Sequence, residues 1–244
     1  MPNELVANID DQRLNQTFRH AHPADVIRWA ADTFGSGLAM TSSFGAESMC
    51  AIHLAIGVKP DIPIVFVNTG YLFPQTLVFM EQMRRRYHLN VWEYHSRNDP
   101  MVWLSVHGEP DPQVRRNVDA CCAANKNEVF DRAMVELAPA AWLRGVRAEQ
   151  SEQRAKMRMI EWNNRARCWA ISPLLHWSAR QIHQYMEQHE LPHHPLWKQG
   201  YVSIGCNPRT CTRAIGADER QRSGRWAGLE KKECGIHLDQ GAGI

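Results

Sequence analysis

Short apolar runs alternate with longer amphipathic ones from Ala24 to His189, and this alternation constrains the fold more than any other feature. Ala24 to Thr33 reads as a helix with Val26, Ile27, Trp29 and Ala30 on one face, Leu38 to Thr41 as a short buried strand, and Ala46 to Ile56 as a helix. Ile64 to Val67, rich in β-branched residues, reads as a second strand, Thr76 to Tyr87 as a helix and Val91 to Tyr94 as a strand. Val129 to Leu137 is a predicted helix, and Ala141 to Val146 and Trp169 to Ile171 are predicted strands. The last helix runs from Ser178, a good N-cap with Gln181 three residues on, to His189. The implied fold is α/β, a mostly parallel twisted sheet with helices on both faces. Such a sheet binds ligands beyond the carboxyl ends of its strands. From about Gly200 the periodicity stops, and Gly, Arg and Cys dominate to Gly235. We divide the chain into an α/β unit, residues 1–204, and an irregular C-terminal arm, residues 205–244, that belongs to the same domain and does not fold alone.

The chain has 244 residues, 44% hydrophobic and 22% charged, enough for one core of ordinary size. A formal charge of +2 gives no case for a nucleic-acid surface, so any anion binding has to come from local clusters. The most apolar run, Cys50 to Val58, is far too short to cross a membrane. The first residues lack the layout of a signal peptide, which makes the cytoplasm the expected location. There, seven cysteines suggest metal or redox chemistry more than structural disulfides.

Thr41 to Ser48 follows a strand and opens a helix. Its small hydroxyl residues and Gly45 let the backbone approach an anion, which free N–H groups at the helix start can hold. It lacks the Gly-Lys-Ser/Thr ending of a Walker A loop, and an ordinary capped turn would look much the same. In Val67 to Pro74, Asn68 and Thr69 can reach a nucleotide's polar edges, and Pro74 suits a helix's first turn. Arg144 and Arg147 at another strand's carboxyl end suggest anion contacts, against the commoner alternative of solvated surface charge. Arg209, Arg213, Arg220, Arg222 and Arg225 crowd the arm, opposed only by Asp218 and Glu219, and Arg222 and Arg225 could clamp a sulfate or phosphate together.

Near the end, Cys234 lies between Lys231-Lys232 and His237. A thiol of ordinary pKa is a few per cent thiolate at neutral pH, and neighbouring cations raise that fraction, so Cys234 is a candidate nucleophile. The tandem Cys121-Cys122 cannot easily form a relaxed disulfide with itself. With Cys206 and Cys211 it makes a four-thiolate set of the kind that serves iron–sulfur clusters and zinc, although adjacent cysteines disfavour zinc. Cys50 and Cys168 sit in apolar surroundings and read as core residues. His183, His189, His193 and His194 show no ligand spacing; His193 to Trp197 reads as packing or as pocket rim.

These segments, in this order, resemble the assimilatory sulfonucleotide reductases, the thioredoxin-dependent adenylylsulfate and phosphoadenylylsulfate reductase family of the adenine-nucleotide α-hydrolase-like superfamily. The resemblance rests on Ser42–Ser48, Asn68–Pro74, Cys121-Cys122 with Lys126, Arg144–Ser151, His194–Trp197, Gly200–Cys206, Arg222–Trp226 and Glu233–His237. It implies a nucleotide-binding α/β domain and attack by Cys234 on the sulfur of adenosine 5′-phosphosulfate. An S-sulfocysteine then forms, and reduced thioredoxin or glutaredoxin releases sulfite. It also implies that Ser42, Ser43, Phe44, Gly45, Ser48, Lys126, Arg147, Arg222, Arg225 and His237 bind substrate, and that Cys121, Cys122, Cys206 and Cys211 hold a [4Fe-4S] cluster. The family branch with both cysteine pairs resembles the enzymes preferring the 5′-phosphosulfate; the 3′-phosphorylated nucleotide is the alternative. The resemblance leaves a homo-oligomer open and implies neither a nucleic-acid partner nor a membrane. One departure stands out: Asn207-Pro208-Arg209-Thr210 separates Cys206 from Cys211 where the family has two residues. Plant-type ferredoxins hold a cluster across such a spacing. A related ATP-dependent thiolation enzyme would carry a Ser-Gly-Gly-x-Asp-Ser loop, which this chain replaces with Ser-Ser-Phe-Gly-Ala-Glu-Ser. A zinc or redox-sensing module would not depend on Cys234.

Overall fold

The computed structural model describes residues 9–109, 114–206, 211–216, 221–231 and 233–237. Asp218, Glu219, Arg220, Lys232 and the Asn207–Thr210 spacer, with Arg209 in it, lie outside them. Six strands form one sheet in the order β3-β2-β1-β4-β6-β5. They are β1 (Leu38–Thr41), β2 (Ile64–Asn68), β3 (Val91–His95), β4 (Ala141–Arg144), β5 (Ile160–Asn163) and β6 (Cys168–Ile171). All pairings are parallel except β5 with β6. β5 escaped the sequence reading because it is a short edge hairpin partner with two of its four residues outside the core.

The helices are α1 (Asp11–Thr17), α2 (Pro23–Phe34), α3 (Ser48–Val58), α4 (Pro74–Arg86), α5 (Pro100–His107), α6 (Arg115–Cys122), α7 (Glu128–Leu137), α8 (Glu152–Ala155) and α9 (Ala179–Gln188). Pro74 opens α4 as expected, and Ser178 and Gln181 form the capping box of α9. A π-helical turn, Ala123–Asn127, joins α6 to α7. π-turns inside helices are often found at functional sites, and this one carries Lys126 just after Cys121-Cys122.

Alternation along the strands splits the core in two. Ala141 and Leu143 of β4, with Trp169 and Ile171 of β6, join a large cluster that includes residues of α2, α3, α4 and α9. Trp142, Cys168 and Ala170 face the other way, onto Val118 of α6, Phe130 and Met134 of α7, and Cys211, Trp226, Cys234 and Ile236 of the arm. The arm therefore completes the second layer of the sandwich. Among the described residues no helix is long and apolar enough to cross a membrane.

Candidate active site

β1 sits where the strand order reverses, with β2 on one side and β4 on the other. This switch point opens a crevice at the carboxyl ends of the strands. The loop leaving β1 enters it, and Ser42, Ser43, Gly45 and Ser48 all line the resulting cavity. Ser42 Oγ accepts from the Phe44 N–H at 3.1 Å, shaping a turn in which Phe44 takes a φ of +48°. The Phe44 ring does not line the cavity. It is fully buried and meets Phe66 edge-to-face at 5.5 Å, so its role is to anchor the loop to the core.

Across the crevice lie Lys126, Arg222, Arg225, Trp226, Cys234 and His237. Four residues of the Cys234 segment are pinned by partners elsewhere. Lys231 Nζ donates to Asp119 at 2.6 Å; Glu233 accepts from Arg154 at 2.8 and 3.1 Å and from Ser151 at 2.8 Å. The Gly235 carbonyl accepts from Arg165 at 2.8 Å and the His237 carbonyl from Arg144 at 3.1 Å. Gly235, at φ +97°, turns the chain so that the Ile236 N–H points back at the Cys234 sulfur. Burial pushes the Cys234 thiol up, but Lys126, the Ile236 N–H and Arg225 outweigh both that and the nearby Glu233 charge, and its pKa falls to about 7.

Of the described basic residues that lie near Cys234 in the sequence, neither Lys231 nor His237 is what lowers its pKa. Lys231 is spent on Asp119 and packs 5.5 Å over Trp226. His237 is not a cation either, because burial and the charges of Arg154 and Arg144 hold its pKa well below the usual range. It remains a neutral donor or acceptor, with Nδ1 lacking a partner among the described residues. Arg225 reaches the cavity through a close approach: its Nε donates to the Cys211 carbonyl at 2.8 Å, its guanidinium stacks 4.5 Å over Trp226, and a Cβ at Gly205 would overlap it.

Arg147 also departs from expectation. It lies outside the cavity lining, 1% exposed, and donates to both Glu47 oxygens at 3.0 and 2.8 Å, to Glu149 and to Gln221 at 2.8 Å. A guanidinium buried this deeply needs a carboxylate, so Arg147 braces the serine loop through Glu47. Arg144 is likewise consumed, by Glu161 and Ser172. Asn68 is a turn former whose Oδ1 accepts from the Gly70 N–H. His194 packs, as expected, bonded to Thr76 at 3.0 Å and pushed down to about 4 by burial. Sequence reasoning missed Gln150, Arg154 and Gln221, which line the cavity. Gln150 lies within the Arg144–Ser151 motif without having been singled out, and only nearness to that motif and to the arginine-rich segment pointed to Arg154 and Gln221.

Cys121, Cys122, Cys206 and Cys211 line a second, small cavity together with Thr69, Tyr71, Asn125 and Lys126. None of the seven cysteines is joined in a disulfide. Both cysteines flanking the lengthened spacing reach this one cavity, although the residues between them lie outside the described ones. Thr69 Oγ1 is 3.3 Å from Cys206 Sγ and Asn125 donates toward Cys121 Sγ at 3.7 Å. Burial and neighbouring sulfurs push the Cys121 thiol up to about 12. Among the described residues no three His, Cys, Asp or Glu side chains are grouped to hold a single metal ion. Lys126 and Thr69 border both cavities.

A mostly parallel sheet with its switch point and serine loop has the layout of a nucleotide-binding α/β protein. FMN adenylyltransferase of Candida glabrata superposes with a TM-score of 0.58, covering 94% of this chain and 82% of that one, at 13% identity, a likeness of fold alone. The phosphoadenylyl-sulfate reductase of Candida auris, in a phosphate complex, superposes with a TM-score of 0.69 at 27% identity, covering 80% of this chain and 93% of that one. Residues 37–213 match the phosphoadenosine phosphosulfate reductase domain. The phosphoadenosine 5′-phosphosulfate reductase of Synechococcus sp. is 38% identical over 237 residues, 96% of each chain. The adenosine 5′-phosphosulfate reductase of Shouchella clausii is 34% identical over 245 residues, 96% of this chain and 95% of that protein. The chain belongs to the phosphoadenosine phosphosulfate reductase family and is an oxidoreductase acting on sulfur.

Proposed function

We propose that the chain reduces adenosine 5′-phosphosulfate to sulfite and AMP in the cytoplasm, through an S-sulfocysteine on Cys234 and with reduced thioredoxin or glutaredoxin as donor. The Cys234 thiolate attacks the sulfate sulfur, forming an S–S bond as the bond from that sulfur to the bridging phosphate oxygen breaks. AMP leaves with the electron pair. A donor thiolate then attacks Cys234 Sγ, and sulfite departs with the electrons of the S–S bond. The donor's second thiol closes a disulfide and frees Cys234. The dithiol is oxidised as sulfur passes from the sulfate to the sulfite level.

The observation that carries this reading is a buried thiol, lowered to about 7, facing the Ser42–Ser48 loop with Lys126, Arg222 and Arg225 around it. A thiolate and a phosphosulfate repel one another, and these cations offset that repulsion where charge develops. His237, held neutral, contributes a hydrogen bond rather than charge. The preference for the 5′-phosphosulfate, like the [4Fe-4S] cluster, is supported by the donor set: four cysteine sulfurs bordering one small cavity. Cys121, Cys122, Cys206 and Cys211 would hold that cluster, which supplies a fixed charge and binding energy beside Lys126. The core that Trp226, Cys234 and Ile236 share with Trp142 supports reading the arm as part of the same domain as the sheet.

The 3′-phosphorylated nucleotide is the second reading, favoured by the name of the 38%-identical Synechococcus relative. One assay separates the two. On anaerobically purified protein of known iron content, kcat/KM is measured for both nucleotides, and Cys234 is examined by mass spectrometry for the sulfonate adduct. A strong preference for the 3′-phosphate overturns the choice of substrate; turnover without the adduct overturns the mechanism.

A further inference from the structure

Arg225 is 7% exposed and lines the reaction cavity, where its charge helps to lower the Cys234 thiol. A guanidinium this deeply buried ordinarily needs a carboxylate. The carboxylates of the site and its walls are taken by other cations: Glu47 pairs with Arg147, Glu233 with Arg154 and Asp119 with Lys231. Among the described residues Arg225 makes no ion pair. Its Nε donates to the Cys211 carbonyl at 2.8 Å, and a Cβ at Gly205 would overlap its Cζ and both Nη atoms.

The remaining partner is an aromatic face. Arg225 Cζ lies 4.5 Å from the centre of the Trp226 ring, the closest cation–ring approach among the described residues. Consecutive side chains on a strand or helix point apart. Trp226 instead sits at a φ of +48°, a conformation that bulky residues rarely adopt, and its ring lies beneath the guanidinium of its own neighbour. It is 1% exposed, lines the same cavity and packs with Phe130 and Trp142. Its Nε1 has no hydrogen-bond partner among the described residues, so packing and cation contacts hold the ring rather than its N–H. Lys231 and Arg222 also approach the ring, at 5.5 and 6.0 Å, but each has an acidic contact of its own, Asp119 and Glu233.

We infer that Trp226 is a positioning residue for sulfonucleotide binding: the face of its indole holds the Arg225 guanidinium in the reaction cavity where a carboxylate would otherwise be needed. A carboxylate there would cancel the charge that an anionic substrate requires. A ring face attracts the cation through its quadrupole and carries no net charge, so the guanidinium is fixed without being neutralised. The inference rests on the proposed reading of this cavity as the sulfonucleotide site.

The test uses the full chain purified without oxygen, with Trp226 replaced by mono-, di- and tetrafluorinated tryptophan. Fluorine drains negative charge from the ring face at nearly constant volume. KM for the preferred nucleotide is expected to rise stepwise, to about tenfold with four fluorines, while the melting temperature stays close to the parent's. In an Arg225→Met background the same series is expected to be flat within about threefold, because the cycle isolates the pair. Trp226→Phe, a weaker ring, should fall between the parent and Trp226→Leu, which keeps apolar bulk without a π face. If KM ignores fluorination, or rises equally in the Arg225→Met background, the ring only fills the core and the inference fails. Either outcome leaves the sulfonate adduct on Cys234 intact; absence of that adduct in the unsubstituted protein would instead sink the reductase chemistry.

Discussion

Cys234 and Cys121 border adjoining cavities that share Lys126, yet their thiols move in opposite directions. Cys234 is the more buried and is lowered to about 7; Cys121 is half-buried and is pushed up to about 12. Burial opposes the charged form in both. Around Cys234 it is outweighed by Lys126, Arg225 and the Ile236 N–H, whereas around Cys121 the sulfurs of Cys206 and Cys211 add to it. The acidic thiol suits a nucleophile at neutral pH. The other, held up at about 12, stays protonated at neutral pH unless a cation binds it.

The comparison breaks most sharply at the nucleophile. Cys234→Ser is expected to lower sulfite production about 10⁴-fold or more, read as sulfite released and as loss of the adduct. If Cys121→Ser had that effect and Cys234→Ser did not, the two roles would have to be exchanged.

Removing the shared cation comes next. Lys126→Met is expected to cost about 10²–10³ in kcat/KM, the scale of one lost electrostatic contact in a water-poor site. It also sharpens the sign of the pH effect. Activity needs the thiolate, so the parent's kcat/KM should rise through about pH 7, where Cys234 titrates. Without the Lys126 charge that limb should move to higher pH. A limb that stays in place would mean that Lys126 does not set the thiol's acidity.

Cys206→Ser probes the other cavity. It is expected to abolish bound iron and visible absorption and to lower the melting temperature by several degrees, about 2–4 °C for each kcal/mol lost in a chain of this size. Iron content unchanged by this substitution would exclude Cys206 as a ligand.

The smallest effect is expected from Gly205→Ala, which forces the Arg225 guanidinium off its seat against the backbone. KM should rise about tenfold with little change in melting temperature, because the new methyl group meets a side chain rather than backbone. An unaltered KM would show that Arg225 does not contact the substrate.

Much of the fold is legible in the pattern of residues. β1 was readable to its ends, and α2, α4 and α9 to within about two residues, because each pairs an apolar stripe or β-branched run with a clear boundary such as Pro74 or Ser178. α6 and the π-turn were not, since Arg115 to Asn127 is polar on average and buries only Val118, Asn125 and Asn127. In the candidate site, Ser42, Lys126, Arg222, Arg225 and Cys234 line the cavity. Phe44 and Arg147 do not, because a motif records that a residue belongs near a site without recording which way its side chain points. Arg154 carried no signal of its own: its importance depends on Glu233, seventy-nine positions away.

By itself the sequence determined the alternating α/β architecture, the serine turn after β1 and the supply of thiols and guanidinium groups, since periodicity and local backbone chemistry are properties of neighbours in the chain. Only the tertiary structure decided which cations act on Cys234, which arginines are already consumed by carboxylates, and that four distant cysteines border one cavity. Coulomb energy depends on distance through space and on exclusion of water, and neither exists until the arm has packed against the sheet.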